Sequence, residues 1–323
     1  MKTGTQAESH RKVVVVGAGS VGATYCYSLA QSGLADEIVL IDRNEDLVRG
    51  QVLDLVHGQP FFPIVDIHAG TEKDYSDANL VVITAGAAQK PGETRLQLLK
   101  KNAEIVGGIA ETVAKQGCSG VMLVVSNPVD VLTYVALKRS GWENGRVIGS
   151  GTVLDSARFR HILGKHCDVD VHNVHAYFLG EHGDSEFAAW SMTHIAGIPV
   201  SQYCDVCGKC PGWEHEREEI EKQVRESAYH IINSKGSTYF AVGLALVKIT
   251  ASILRKQKSV LTVSSYLSGE FGIKDVCISV PAIVSDRGIE RIIDHKLSDR
   301  EIASLKHSAD VLRKAIDSIF EHY

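Results

Sequence analysis

Apolar positions in the first half of the chain come in short unbroken runs, the first being Lys12 to Val16 (KVVVV). A β-branched run without alternation predicts a parallel strand buried on both faces. Similar runs at Glu37 to Ile41, Leu80 to Thr84, Val121 to Ser126 and Arg146 to Ile148 have helical periodicity between them, beginning with Val21 to Gln31. Strand and helix alternating in this way predict a doubly wound parallel sheet over about residues 12–150. Over residues 151–323 the pattern changes. Val169 to Tyr177 alternates in part and predicts a strand, while Glu216 to Ile232 places Ile220, Val224, Ala228 and Ile231 on one helical face. Ser237 to Leu254 continues as a small, apolar helix, and Ser259 to Tyr266 with Val276 to Val280 predicts an antiparallel pair. Ser298 and Glu301 form a capping box ahead of a stripe (Ile302, Leu305, Ala309, Leu312, Ile316, Ile319) that reads as packing. The second unit is therefore α+β.

Length and charge narrow this picture. At 323 residues the chain is long enough for two domain-sized cores. A net charge of −5 with scattered Lys and Arg argues against nucleic acid as a partner. The longest apolar stretch, Ala241 to Leu254, is broken by Lys248 and too short for a bilayer, so a buried helix is expected and no membrane partner. A polar start (Met1 to Arg11) reads as a tail or an arm on a neighbouring subunit. With seven Cys and no secretory signal, it predicts a reduced, cytoplasmic setting. Cys204, Cys207 and Cys210 form a CxxCxxC run with His215 close behind. Those four could ligate zinc, but reduced thiols in a surface loop are the preferred reading, and no metal is expected.

The first run leads directly into GAGSVG, where Gly17, Gly19 and Gly22 suit a tight turn, close approach of a pyrophosphate to backbone N–H groups, and close helix–strand packing. The second run ends in Asp42, twenty residues after Gly22. An acid there accepts from ribose hydroxyls and repels a 2′-phosphate, so the expected cofactor is NAD. This is a Rossmann-type unit. Its expected contacts are Gly17, Gly19, Ser20, Val21, Gly22, Asp42 and Arg43, joined at other strand ends by Thr84, Ala85, Gly86, Ser126 and Asn127.

A ketone becomes an alcohol only if a proton reaches oxygen as hydride reaches carbon. His182, in GEHGDS, titrates nearest neutrality and is the candidate donor. Asp155 would hold its other ring nitrogen, and Arg158 would clamp a substrate carboxylate with two parallel hydrogen bonds. After Thr84, the stretch AGAAQKPGETR reads as a lid that could carry Arg95 onto a carbonyl. Asn127 can hydrogen-bond the substrate oxygen, although Asn before Pro is also a turn former.

With GAGSVG, Asp42, QKPGETR, SNPVD, DSARFR and GEHGDS in this order, the chain from about Lys12 onward resembles the NAD-dependent L-lactate dehydrogenases of the lactate and malate dehydrogenase family. The resemblance implies His182 as proton donor and acceptor, Asp155 as its partner, Arg158 on the carboxylate and Arg95 on the carbonyl. Asn127 and Thr238 would line the pocket, and the bond before Pro128 would be cis. Gln89, where malate dehydrogenases of the family place Arg, favours pyruvate and L-lactate over a dicarboxylate. A malate or broader 2-hydroxyacid dehydrogenase is the alternative. A protein keeping the fold without catalysis is a further one, set against the costly polar set of Arg95, Asn127, Asp155, Arg158 and His182. Bacterial members carrying an Arg and a His at Arg160 and His175 bind fructose 1,6-bisphosphate across a subunit interface. Activation by that effector, a homotetramer and a glycolytic, fermentative role are therefore expected.

Overall fold

The computed structural model describes residues 10–88, 92–207 and 213–320. In the first half, β1 (Lys12–Val16), α1 (Ser20–Ser32), β2 (Glu37–Ile41), α2 (Glu45–His57), β3 (Asp66–Ala69), β4 (Leu80–Ile83), α3 (Arg95–Lys115), β5 (Val121–Val124), α4 (Val129–Ser140) and β6 (Val147–Gly149) follow one another. The six strands pair in parallel in the order β3-β2-β1-β4-β5-β6, so the direction of winding reverses between β1 and β4. The unbroken apolar runs follow from this arrangement. Val14 and Val16 of β1 enter the core shared with α3 and α4, while Val13 and Val15 enter the core shared with α1 and α2. Both faces are covered, and each such side chain gains about 1.5–3 kcal/mol over exposure.

The second half contains α5 (Val153–Cys167), β7 (Val174–His175), β8 (Phe178–Leu179), β9 (Phe187–Ala188), β10 (His194–Ile195), β11 (Ile198–Pro199), α6 (Val200–Cys207), α7 (Trp213–Lys235), α8 (Phe240–Leu254), β12 (Ser259–Ser268), β13 (Lys274–Ser285), β14 (Gly288–Ile292) and α9 (Asp299–Phe320). The antiparallel strands β12, β13 and β14 continue the same sheet beyond β6, giving nine strands in all; Ser264 pairs with Gly149 at the join. The two halves are thus linked through one sheet. Among the described residues, no helix is long and apolar enough to cross a membrane.

Four sequence expectations need correction. Val169 to Tyr177 is not one strand: the Asp170 side chain accepts from the His172 N–H and bends residues 171–173 into a 3-10 turn before the two-residue β7. The helix α8 is only half buried. Leu246, Ile249 and Ile253 face the core, whereas Phe240 and Leu244 are 66 % and 64 % exposed, because α8 packs against α1 on one side only. Arg11 is no part of a loose tail, since its guanidinium makes a two-pronged hydrogen bond to Asp36; Met1 to Ser9 lie outside the described residues. Finally, α9 does more than pack. Its capping box at Ser298 and Glu301 and its buried stripe are present, and Ser308 also reaches the His182 loop.

Candidate active site

At the carboxyl end of β1 the glycines have separate tasks. Gly17 has φ +116°, and a Cβ there would lie 2.6 Å from Thr84 Oγ1. At Gly22 a Cβ would stand 1.9 Å from the Gly17 carbonyl oxygen, so only glycine lets α1 start this close to β1. Gly19 faces open space, with nothing within 4 Å of a Cβ, and as N-cap of α1 it offers no capping side chain. A helix start of this kind suits a phosphate. The Asp42 carboxylate, at the end of β2, accepts from Ala18 N–H at 2.8 Å and from Asn44 N–H at 2.9 Å, which fixes it beside the turn. Arg43 next to it is exposed. Thr84 Oγ1 donates to Val16 and Gly17 carbonyls, and Ser126 Oγ donates to the Ala85 carbonyl at 2.6 Å. The sequence-predicted cofactor residues, Gly86 and Asn127 included, therefore follow the carboxyl ends of β1, β2, β4 and β5, and this cradle fits a dinucleotide.

His182 lies in the loop after β8, and four elements hold it there. Its backbone N–H donates to Asp130 Oδ2 on α4 at 2.7 Å, and its ring Nδ1 is 2.7 Å from Asp155 Oδ2 on α5. Gly180 exchanges two backbone hydrogen bonds of 3.0 Å with Ser279 of β13. Ser308 of α9 accepts from Glu181 N–H at 2.9 Å. One turn beyond Asp155, Arg158 Nη1 donates to Asp155 Oδ1 at 2.7 Å.

The electrostatics follow from burial and pairing. Burial by itself would lower the pKa of His182, but the Asp155 charge and hydrogen bond, aided by Glu186 and Asp130, raise it to about 9. Burial works against ionised Asp155 too, yet His182 and Arg158 hold its carboxyl below the usual range. Asp130 is pushed up to about 6 by burial. Sequence reasoning missed Asp130, although it stands in the quoted SNPVD, and it missed Glu186, which directly follows GEHGDS. Glu186 is 5 % exposed and is held well above the carboxylate range, first by burial and then by the Asp155 charge. Asp155, His182 and Glu186 offer ligand atoms within 4.8 Å of one another. With Nδ1 committed to Asp155 and a guanidinium alongside, the cluster suits proton transfer better than a cation.

The other predicted residues are spread more widely. Arg95 is exposed at the start of α3, where Thr94 and Gln97 form a capping box, and it lines a cleft of about 800 Å3 with Glu181, Glu186 and Arg225. Asn127 is exposed and its bond to Pro128 is cis. Thr238 is half-buried; the N-cap position of α8 is Tyr239, so Thr238 does not serve as the cap. Arg160 points away from Arg158, donating to the Val174 and Val171 carbonyls at 2.8 and 3.2 Å. With exposed His175 it lines a separate cavity of about 480 Å3, to which α8 adds Lys248. Gln89 and Cys210 lie outside the described residues, as do the side chains of Cys204 and Cys207; His215 is exposed on α7.

Residues 11–149 match the family description of the lactate/malate dehydrogenase NAD binding domain, and residues 152–323 that of the lactate/malate dehydrogenase alpha/beta C-terminal domain. The chain is 60 % identical over 310 residues to an L-lactate dehydrogenase of Treponema denticola, covering 95 % of this chain and 98 % of that protein. It is 50 % identical over 308 residues to one of Thermoanaerobacter pseudethanolicus (95 % and 99 %). Among solved structures, a lactate dehydrogenase enzyme from a Medee basin deep-sea metagenome library superposes with a TM-score of 0.93 at 44 % identity (96 % and 99 %). The minor L-lactate dehydrogenase of Enterococcus mundtii, in a ligands-bound form, gives 0.92 at 41 % (96 % and 98 %).

Proposed function

Because this chain belongs to the lactate/malate dehydrogenase family and has its NAD-binding domain, we propose that it is an L-lactate dehydrogenase interconverting pyruvate and L-lactate. The observation that carries this reading is the hydrogen-bonded set His182–Asp155–Arg158, anchored through Asp130 three residues after Asn127. In this reading residues 12–150 form the cofactor unit and 151–323 the catalytic one. NADH, when bound, supplies the hydride. Protonated His182 gives its proton to the carbonyl oxygen, while Asp155 fixes the tautomer and stabilises the charged ring. Arg158 retains N–H groups beyond the one given to Asp155, and these pair with the substrate carboxylate. Arg95 comes in with the lid to polarise the carbonyl, Asn127 and Thr238 line the pocket, and neutral Gln89 faces the methyl group.

Steady-state rates with pyruvate, oxaloacetate and a bulkier 2-keto acid test the assignment. Pyruvate should exceed oxaloacetate by about 100-fold in kcat/KM, since a second carboxylate would be desolvated without a cation. Faster turnover of oxaloacetate would establish the alternative, a malate or broader 2-hydroxyacid dehydrogenase.

The same reading places fructose 1,6-bisphosphate at Arg160 and His175, with Lys248 as a further cation. Exposed Leu244 and Val260 at the rim of that cavity give a second subunit an apolar surface to cover, in keeping with a homotetramer. The effector should lower the apparent KM for pyruvate. Unchanged kinetics across an effector titration would remove this part and leave the dehydrogenase assignment standing. A cytoplasmic, fermentative setting completes the proposal.

A further inference from the structure

Among the described residues, Glu186 has a buried carboxyl oxygen, Oε2, without a hydrogen-bond partner. The groups facing it explain why that oxygen matters. From α5 come Asp155 and Arg158, from its own loop His182, and from α7 Arg225, which spends Nη1 on the Glu186 backbone carbonyl (3.5 Å) and on Glu221 (3.3 Å); Asp130 on α4 acts on His182 instead. Across the cleft stand Arg95 on α3 and Arg300 and His307 on α9, with Glu181 and Asp184 on its own loop. Arg158 and His182 are hydrogen-bonded to Asp155, and neither of them reaches Glu186 Oε2. An ionised Glu186 would be a second buried carboxylate beside Asp155 with an oxygen that no donor reaches. Two carboxyls this close favour one of them keeping its proton.

Resting on the keto-acid reading above, we propose that Glu186 is an affinity-determining residue: held as a neutral carboxylic acid, it leaves the His182–Asp155–Arg158 set with the single net positive charge that a monoanionic 2-keto acid needs. With its proton present, two cations and one anion receive one incoming carboxylate. Once the proton leaves, the set is neutral before substrate arrives, and the incoming carboxylate meets a second anion. Glu186 thus acts on binding, while His182 acts on the chemical step, and each contributes its own proton to the alkaline loss of kcat/KM. The raised pKa of Glu186 agrees with this division.

The test is the limiting slope of log(kcat/KM) for pyruvate against pH on the alkaline side, in wild type, Glu186→Gln and Glu186→Leu. Two required protons give a slope of about −2, and one gives about −1. Wild type should show the steeper slope and both variants the shallower one; the Leu variant serves if the Gln variant does not fold. Fluorescence titration with NADH establishes that each variant retains the cofactor site. As a second readout, infrared spectra of the NADH complex should show a carboxylic-acid carbonyl band that is lost in Glu186→Gln and perturbed by oxamate, the amide isostere of pyruvate. Equal slopes in wild type and variants, or no such band in wild type, would overturn the inference. Absence of pyruvate turnover in wild type would instead defeat the keto-acid reading, so the two failures are distinguishable.

Discussion

After β1 the chain builds a binding site out of backbone, and after β8 it builds one out of side chains. The turn at Gly17, Gly19 and Gly22 works through what its residues lack: a Cβ at Gly22 would sit 1.9 Å from a carbonyl oxygen, while Gly19 leaves a helix start open. The His182 site works through what its residues carry, drawing Asp130, Asp155 and Arg158 from two helices and fixing the loop with Ser279 and Ser308 from two more elements. A site made of backbone is coupled to packing, so damage to it should change cofactor affinity and stability together. A site made of side chains on an independently packed scaffold should lose rate first.

The largest effect is expected at the ring itself. His182→Gln should lower kcat for pyruvate reduction by about 10²–10⁴-fold with NADH affinity retained, as read by single-turnover kinetics and a fluorescence titration. Loss of NADH binding in that variant would erase the contrast between the two sites. Asp155→Asn should lower kcat by about 10–100-fold and also move the pH profile. In the proposed mechanism reduction needs protonated His182, so wild-type kcat/KM for pyruvate should fall as pH rises through about 9, and lactate oxidation should gain over the same range. Asp155 outweighs the burial that would lower this pKa, so the Asn variant should lose pyruvate reduction at a clearly lower pH. The same raised pKa has a stability consequence. Its contribution is fully present below the ordinary imidazole value of about 6.5 and is lost as pH rises through about 9, so thermal midpoints should decline across that window in wild type and stay flatter in Asp155→Asn.

On the backbone side, Gly22→Ala should destabilise the fold by about 1–3 kcal/mol and weaken NADH binding by about tenfold, the two shifting together in melting and titration experiments. A variant that lost affinity at constant stability would break the proposed coupling. The smallest effect belongs to Asp42→Ser, which removes one hydrogen-bonding carboxylate at the end of β2. It should narrow the preference for NADH over NADPH by about fivefold to tenfold, as measured by the ratio of their KM values.

Legibility in the sequence divides along the same line. The runs at Lys12 to Val16, Glu37 to Ile41, Leu80 to Thr84 and Val121 to Ser126 declared a sheet covered on both faces, and the glycine spacing declared the turn, because both are local requirements written over a few consecutive residues. Where a local pattern was weak, turn chemistry prevailed: Asp170 diverted residues 171–173 from the expected strand. The short hairpin to β14 was not legible in the pattern, and neither was the continuation of the sheet across Gly149 and Ser264, a pairing of residues more than a hundred positions apart. Apolar composition along Ala241 to Leu254 gave no sign that only one side of α8 is covered by its own chain.

By itself, then, the sequence determined the nucleotide-binding half and supplied the residue types on which the proposed proton chemistry draws, since strand burial, helix starts and acid–base capacity belong to short segments and single side chains. Only the tertiary structure decided which carboxyls share their surroundings with His182. Asp130 and Glu186 look like any surface acids in the sequence, and their raised pKa values come from being folded out of water, among charges that lie on α5, α7 and the loop after β8.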